Sequence, residues 1–271
     1  MSSLMLLAII AIPFASMAED EQQFPLRSSY PFLTGIDSKS LAEIFDSAIK
    51  IDSRNQMEFS VIRMTGAINI PADRMNQEQL LALRPKTSPV PIVFYCNGIT
   101  CPKSYKAADK AVDWGFENVK IYESGIFSWS KDYPEKTDFF GKILSATEME
   151  DMVLNPERFE KVLLTPEKFI EKVHSGQYRI IDIRDTNERF DKPFRLPRVL
   201  VLSFDSLVQL LEKKSSAIPR EHVLVIDNVG RQVKWLQYFF EKEGVKEYYF
   251  LKGGMRKWIE EGYDSSGHKL S

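Results

Sequence analysis

Two cysteines, Cys96 and Cys101, are the only sulfhydryl groups of the 271-residue chain, and they share one short loop, Cys96-Asn97-Gly98-Ile99-Thr100-Cys101-Pro102-Lys103. Two sulfurs five positions apart cannot staple distant parts of a fold, so a disulfide framework is excluded. A metal site is also excluded by pattern: the spacing lacks a second cysteine pair, and His174, His222 and His268 lie in the other half of the chain. Reactivity is the better reading. A cysteine that ends an apolar strand and precedes a helix start meets loop amides and the positive end of the helix dipole, and both favour the thiolate. Cys96 follows the apolar run Pro91-Ile92-Val93-Phe94-Tyr95, Gly98 allows a turn, Pro102 suits a first helical turn, and Lys103 adds positive charge. Cys101 in the same pocket can attack an oxidised or persulfidated Cys96 and close a disulfide, which makes a thiol redox couple the rival chemistry.

The elements that must hold these residues occur twice. Ile51-Asp52-Ser53-Arg54 returns as Ile181-Asp182-Ile183-Arg184, Gly115 returns as Gly244, and Gly125 with Trp129 returns as Gly254 with Trp258, all at offsets of 129 or 130. Each copy reads as a helix (39–46; 166–174), a strand (49–52; 178–183), a middle apolar segment (67–70; 199–202) and a second, fully apolar strand (91–95; 222–227). A helix stopped by glycine (103–114; 232–243) and a last strand (119–122; 248–251) complete it. Thr165 stands as N-cap with Pro166 just inside its helix. Strands alternating with helices predict α/β domains, each an open, mainly parallel sheet with helices on both faces. Ligands of such sheets collect at the carboxyl ends of the strands, where Cys96 stands.

Taken in order, IDSRNQMEF, TGAINIP, IVFYC with its loop, and WGFENVKIYESGIFSW resemble a rhodanese domain, a sulfurtransferase family marked by Asp-x-Arg, Gly-Ala, a Cys-initiated loop and Gly-x-x-x-Trp. The chain is thereby identified as a tandem rhodanese, with domains over 28–136 and 164–265 and a charged, partly helical connector over 137–163, broken at Asn155-Pro156. The resemblance implies that Cys96 takes a sulfane sulfur as a persulfide from a small sulfur-containing donor and passes it to a thiol or other nucleophilic acceptor. Covalent catalysis of this kind needs neither a metal nor an organic cofactor. Asn97, Gly98, Ile99, Thr100, Cys101 and Lys103 are then the loop that binds substrate, and Asp52 with Arg54 is its structural support. The loop departs from the family pattern in being about two residues longer and in holding no Arg. Where rhodanese-like phosphatases place a phosphate-clamping Arg, this chain has Pro102, which argues against phosphatase chemistry. The second copy has Asp227 in place of the cysteine, within Asp227-Asn228-Val229-Gly230-Arg231-Gln232, and reads as a silent scaffold. Besides the dithiol redox protein or persulfide carrier, a non-catalytic binding module with a protein partner is the remaining alternative.

A formal net charge of −2 gives no basic field for nucleic acid or anionic lipid. The apolar run Leu4 to Phe14 is too short to span a bilayer and reads as the core of a signal peptide over 1–18, without the usual basic n-region. On that reading the protein is exported, to a periplasm, and its mature form has no membrane partner.

Overall fold

A computed structural model describes residues 23–270. The expected signal peptide over 1–18 lies outside the described residues. The chain divides into two compact units, one ending at Met149 and one beginning at Glu150.

The first unit runs β1 (Thr34–Gly35), α1 (Ser38–Glu43), β2 (Ile49–Asp52), α2 (Gln56–Val61), β3 (Ile62–Met64), β4 (Ile68–Asn69), α3 (Gln77–Leu81), β5 (Ile92–Tyr95), α4 (Lys103–Asp113), β6 (Val119–Tyr122), α5 (Gly125–Asp132), β7 (Thr137–Phe139), β8 (Lys142–Ile143) and α6 (Ala146–Met149). Its main sheet is parallel throughout, in the order β1-β6-β5-β2-β4. All four residues of the central strand β5 are buried, which is why this segment is apolar without alternation. Side chains from α4, including Tyr105, Ala107, Ala108 and Ala111, pack with Ile51, Ile92, Phe94 and Ile121 in one core. Trp129 is fully buried and stacks on Phe45, as expected for a core aromatic.

The second unit runs through α7 (Pro156–Glu160), β9 (Leu163–Leu164), α8 (Pro166–His174), β10 (Arg179–Asp182), α9 (Thr186–Asp191), β11 (Val199–Val201), α10 (Phe204–Glu212), β12 (Glu221–Ile226), α11 (Gln232–Lys242), β13 (Lys246–Leu251) and α12 (Gly254–Glu260). Its sheet is again wholly parallel, in the order β11-β10-β12-β13-β9. Matching β4, β2, β5, β6 and β1 to β11, β10, β12, β13 and β9 superimposes the two orders strand for strand. The duplication read from sequence landmarks is therefore one of topology. Thr165 caps α8 by accepting from Lys168 N, with Pro166 inside the first turn, and Gly115 and Gly244 follow their helices at positive φ, as expected.

The segment expected to be a partly helical connector differs. Thr137–Phe139 and Lys142–Ile143 form a small antiparallel sheet with β3, because Ile62, Met64, Thr137 and Phe139 turn buried side chains to one face. At the other end, Leu163 and Leu164 already pair with Phe250 and Leu251 as an edge strand. Asn155 does mark a break, since it ends a π-helical turn over 150–154 and caps α7 with Pro156 at its start. Among the described residues no helix is long and apolar enough to cross a membrane.

Candidate functional site

Cys96 directly follows β5 at the carboxyl edge of the first sheet, and it is 1% exposed. Its sulfur is bonded to that of Cys101, with the two Cα atoms 6.2 Å apart. The expected free thiolate is thus replaced in this structure by a disulfide that closes the loop on itself. Cys101 N donates to Gly98 O at 2.9 Å, a tight turn that brings residue 101 back toward residue 96, and Cys101 is the more exposed of the pair. Pro102 falls one position before α4 instead of inside it.

Beneath the loop lies a buried polar lattice. Arg54 and Asp52 are both inaccessible and form a bidentate pair, with Arg54 Nε 2.9 Å from Asp52 Oδ1 and Nη2 2.6 Å from Oδ2. Arg54 Nη2 also reaches Ile62 O at 2.6 Å, and Nη1 donates to Asn97 Oδ1 at 3.1 Å. Burial alone would lower the Arg54 pKa, but the charge and hydrogen bonds of Asp52 raise it on balance, so the guanidinium stays charged. Arg54 therefore reaches the loop through Asn97, and Asp52 stands behind it as the partner of its guanidinium.

Glu58 is the residue that sequence reasoning missed. It completes a capping box with Asn55 at the start of α2. Its Oε1 accepts from Asn97 Nδ2 at 2.6 Å and its Oε2 from Lys103 Nζ at 3.1 Å. One carboxylate thus caps a helix and fastens both ends of the cysteine loop. The signal was present as Asn55-x-x-Glu58, repeated as Asp185-x-x-Glu188, and a capping box alone does not announce a second task.

Gly98 was expected to supply a turn, but its φ is not in the left-handed region, and a Cβ there would meet only Ser124 O at 3.5 Å. The requirement falls on Gly125, with φ of +74°, where a Cβ would lie 2.5 Å from Gly98 Cα and closer still to Gly98 N. The loop crosses directly over α5, and Ile126 N holds Cys96 O at 2.9 Å. The motif glycine is thus explained by close approach of backbone to backbone.

A cavity of about 500 Å³ opens beside the loop, lined by Ser53, Asn55, Asp73, Lys103, Lys106 and Lys110 among others. The three lysines fall at i, i+3 and i+7 on one face of α4. Lys103 is held by Glu58, and Lys110 Nζ donates to Ala72 O at 2.8 Å. Ser53 Oγ is buried without a hydrogen-bond partner among the described residues. Cys96, Asn97, Gly98, Ile99, Thr100 and Cys101 belong to the loop but not to the wall of this cavity, whereas Lys103 belongs to both.

The second unit repeats the lattice in part: Arg184 Nη1 donates to Lys192 O at 2.6 Å instead of to the loop asparagine, whose Oδ1 is buried without a hydrogen-bond partner among the described residues. Arg184 pairs with Asp182 at 2.9 and 2.8 Å, and Asn228 Nδ2 donates to Glu188 Oε1 at 2.6 Å. Met255 N holds Asp227 O at 2.9 Å, and a Cβ on Gly254 would lie 2.6 Å from Asn228 C. Asp227 takes the place of Cys96, and the loop amides converge on it: Gly230 N on Oδ1 at 2.6 Å, Gln232 N and Val233 N on Oδ2 at 2.9 and 3.5 Å. Burial raises the Asp227 pKa, and these amides partly oppose the rise. From strand end to helix start the loop runs Cys96 to Lys103 in the first unit and only Asp227 to Gln232 in the second. Among the described residues no group of three or more His, Cys, Asp or Glu side chains is arranged to hold a metal.

The family profile of the Rhodanese-like domain matches residues 38–132 and again 165–261. No curated protein matches the chain. Among solved structures, it is similar to the BH2092 protein of Bacillus halodurans, at 21% identity over 51% of this chain and 98% of that one, with a TM-score of 0.36. It is also similar to a thiosulfate sulfurtransferase of Pseudomonas aeruginosa, at 18% identity over 84% of this chain and 42% of that one, TM-score 0.39. SseA of Escherichia coli, a structure described with the catalytic mechanism of 3-mercaptopyruvate sulfotransferases, shares 16% identity over 82% of this chain and 98% of its own, TM-score 0.31. The two profile matches cover four of the five strands of each parallel sheet and well over half of the sequence, and on them the chain belongs to the rhodanese family, as a tandem of two rhodanese-like domains.

Proposed function

We propose that the protein is a sulfurtransferase in which the reduced Cys96 accepts a sulfane sulfur, holds it as a persulfide and yields it to a thiol-type nucleophile. The observation that carries this reading is the place of Cys96: the first position after a buried central strand, in a loop fastened by Arg54, Glu58 and Asn97. The second unit supports the chemistry by analogy, because there a shorter loop aims its amides at a carboxyl group in the equivalent position. The three lysines on the face of α4 that starts at the end of the cysteine loop supply positive charge near the site, which favours an anionic donor. Transfer from thiosulfate would break its S–S bond, leave the outer sulfur on Cys96 and release sulfite.

The Cys96–Cys101 disulfide specifically favours a second reading, a dithiol redox protein that exchanges disulfides without carrying sulfur. The apolar segment of Leu4 to Phe14 adds export to either reading, which amino-terminal sequencing of the protein from its native cell would check.

Intact-mass measurement after incubating the reduced protein with thiosulfate or inorganic polysulfide tests the leading reading. Labelling by an increment of about 32 Da, one sulfur atom, is expected on a chain that retains Cys96 and carries Cys101→Ser, and not on Cys96→Ser. Absence of the adduct from every Cys96-containing form, with disulfide exchange intact, would establish the redox reading instead. Lys106, exposed on the cavity face of α4, tests the donor class: Lys106→Glu should lower kcat/KM for thiosulfate about three- to tenfold at low salt, with the loss shrinking as salt screens the charge.

A further inference from the structure

We propose that Cys101 discharges the sulfur: its thiolate attacks Cys96 Sγ of the persulfide, closes the Cys96–Cys101 disulfide and expels the sulfane sulfur as hydrosulfide. This step rests on the Cys96 persulfide of the sulfurtransferase reading above and replaces its external thiol acceptor by Cys101, so that the sulfur leaves as hydrosulfide. Three independent features point to it. The first is reach: the loop places the two sulfurs in bonding contact, with Cα atoms 6.2 Å apart, inside the range that a disulfide spans without backbone movement. The second is loop length. In the second unit five positions suffice to pass from strand end to helix start, whereas the first uses seven and folds the surplus back through the Cys101 N to Gly98 O turn. The third is access. Cys96 is buried and Cys101 is partly exposed, so a sulfur on Cys96 is shielded from a bulky acceptor while Cys101 already faces it from within the loop.

The balance closes. One bond forms, Cys96 Sγ to Cys101 Sγ, and one breaks, Cys96 Sγ to the sulfane sulfur. That sulfur takes up two electrons and leaves as hydrosulfide, while the two cysteine sulfurs together give them up. The proton on the Cys101 thiol ends on the departing sulfur or in water. Resetting the site requires a dithiol reductant: its first thiolate attacks the more exposed Cys101 sulfur and releases Cys96, and its second thiol resolves the mixed disulfide. In this cycle hydrosulfide is the product and a protein or small-molecule dithiol is the electron source.

A single-turnover experiment on the full chain decides it. Reduced wild type, freed of reductant and mixed with thiosulfate, should release about one equivalent of hydrosulfide and finish about 2 Da lighter than the reduced chain, as a disulfide. Cys101→Ser and Cys101→Ala, checked as folded by circular dichroism, should hold the sulfur, gaining about 32 Da and releasing no hydrosulfide until a thiol is added. Should wild type keep the added sulfur as long as these variants do, or should the variants release hydrosulfide as readily as wild type, Cys101 is not the discharging group. Should the variants never gain the sulfur, with polysulfide as well as thiosulfate, the persulfide on Cys96 itself is wrong and the inference falls with it.

Discussion

Cys96 and Asp227 end equivalent strands, sit under equivalent loops and are each 1% exposed, so the difference between the two units begins at one side chain. Asp227 takes three backbone donors, and its removal orphans them in a buried place. Asp227→Ala should destabilise the second unit by about 2–4 kcal/mol, read as a lowered urea midpoint. The pH dependence has a definite sign. Burial raises the Asp227 pKa above 3.8, so the folded state binds the proton more tightly than the unfolded chain does. That contribution is complete below the ordinary carboxylate range and is lost as pH rises through the raised value. Wild-type stability measured relative to Asp227→Asn should therefore fall as pH rises above the ordinary carboxylate range, and a gap that stays constant with pH would contradict it. Arg54 gives a second test at this scale. Arg54→Met strands the Asp52 carboxylate in a dry interior at a cost of about 3–5 kcal/mol, and adding Asp52→Asn should return part of it.

Among elements, the crossing of the cysteine loop over α5 and of its counterpart over α12 depends on Gly125 and Gly254. Both glycines have positive φ and no room for a Cβ. Gly125→Ala should lift the loop from Ile126 N and reduce sulfur loading, with a loss of about 1–3 kcal/mol in the first unit. Gly254→Ala should lower the stability of the second unit by a similar amount and leave loading unchanged. The main elements were legible because their sequence signals are strong and local: β2, β6 and α8 fall where periodicity, Thr165 and Pro166 put them. The antiparallel strands β7 and β8 were not legible, since β7 pairs with β3 some seventy-five positions away, β8 pairs with β7, and each strand is only two or three residues long. The site divided in the same way. Cys96, Asp52 and Arg54 are announced by position and type, whereas the bonds from Glu58 to Asn97 and Lys103 depend on how α2 and the loop meet in space.

On the scale of the whole molecule, two units each hold their own sheet and their own buried core. Everything argued for sulfur chemistry, the loop, the Arg54 and Glu58 anchors and the lysine-lined cavity, lies in the first. A fragment of residues 23–149 should therefore gain the same increment of about 32 Da from polysulfide as the full chain carrying Cys101→Ser, once Cys101 is replaced in it too. Failure of a folded fragment to load would assign the second unit a direct part in the reaction.

The carboxylate that Asp227 tucks beneath its own loop has one more consequence. It is a resident plug: the loop donors that could greet an incoming oxyanion are already taken up by a carboxyl group of the same chain. A sulfate-like or phosphate-like guest would have to displace that carboxyl before gaining those amides, and shortening the aspartate to a smaller neutral residue is the change that would vacate the seat.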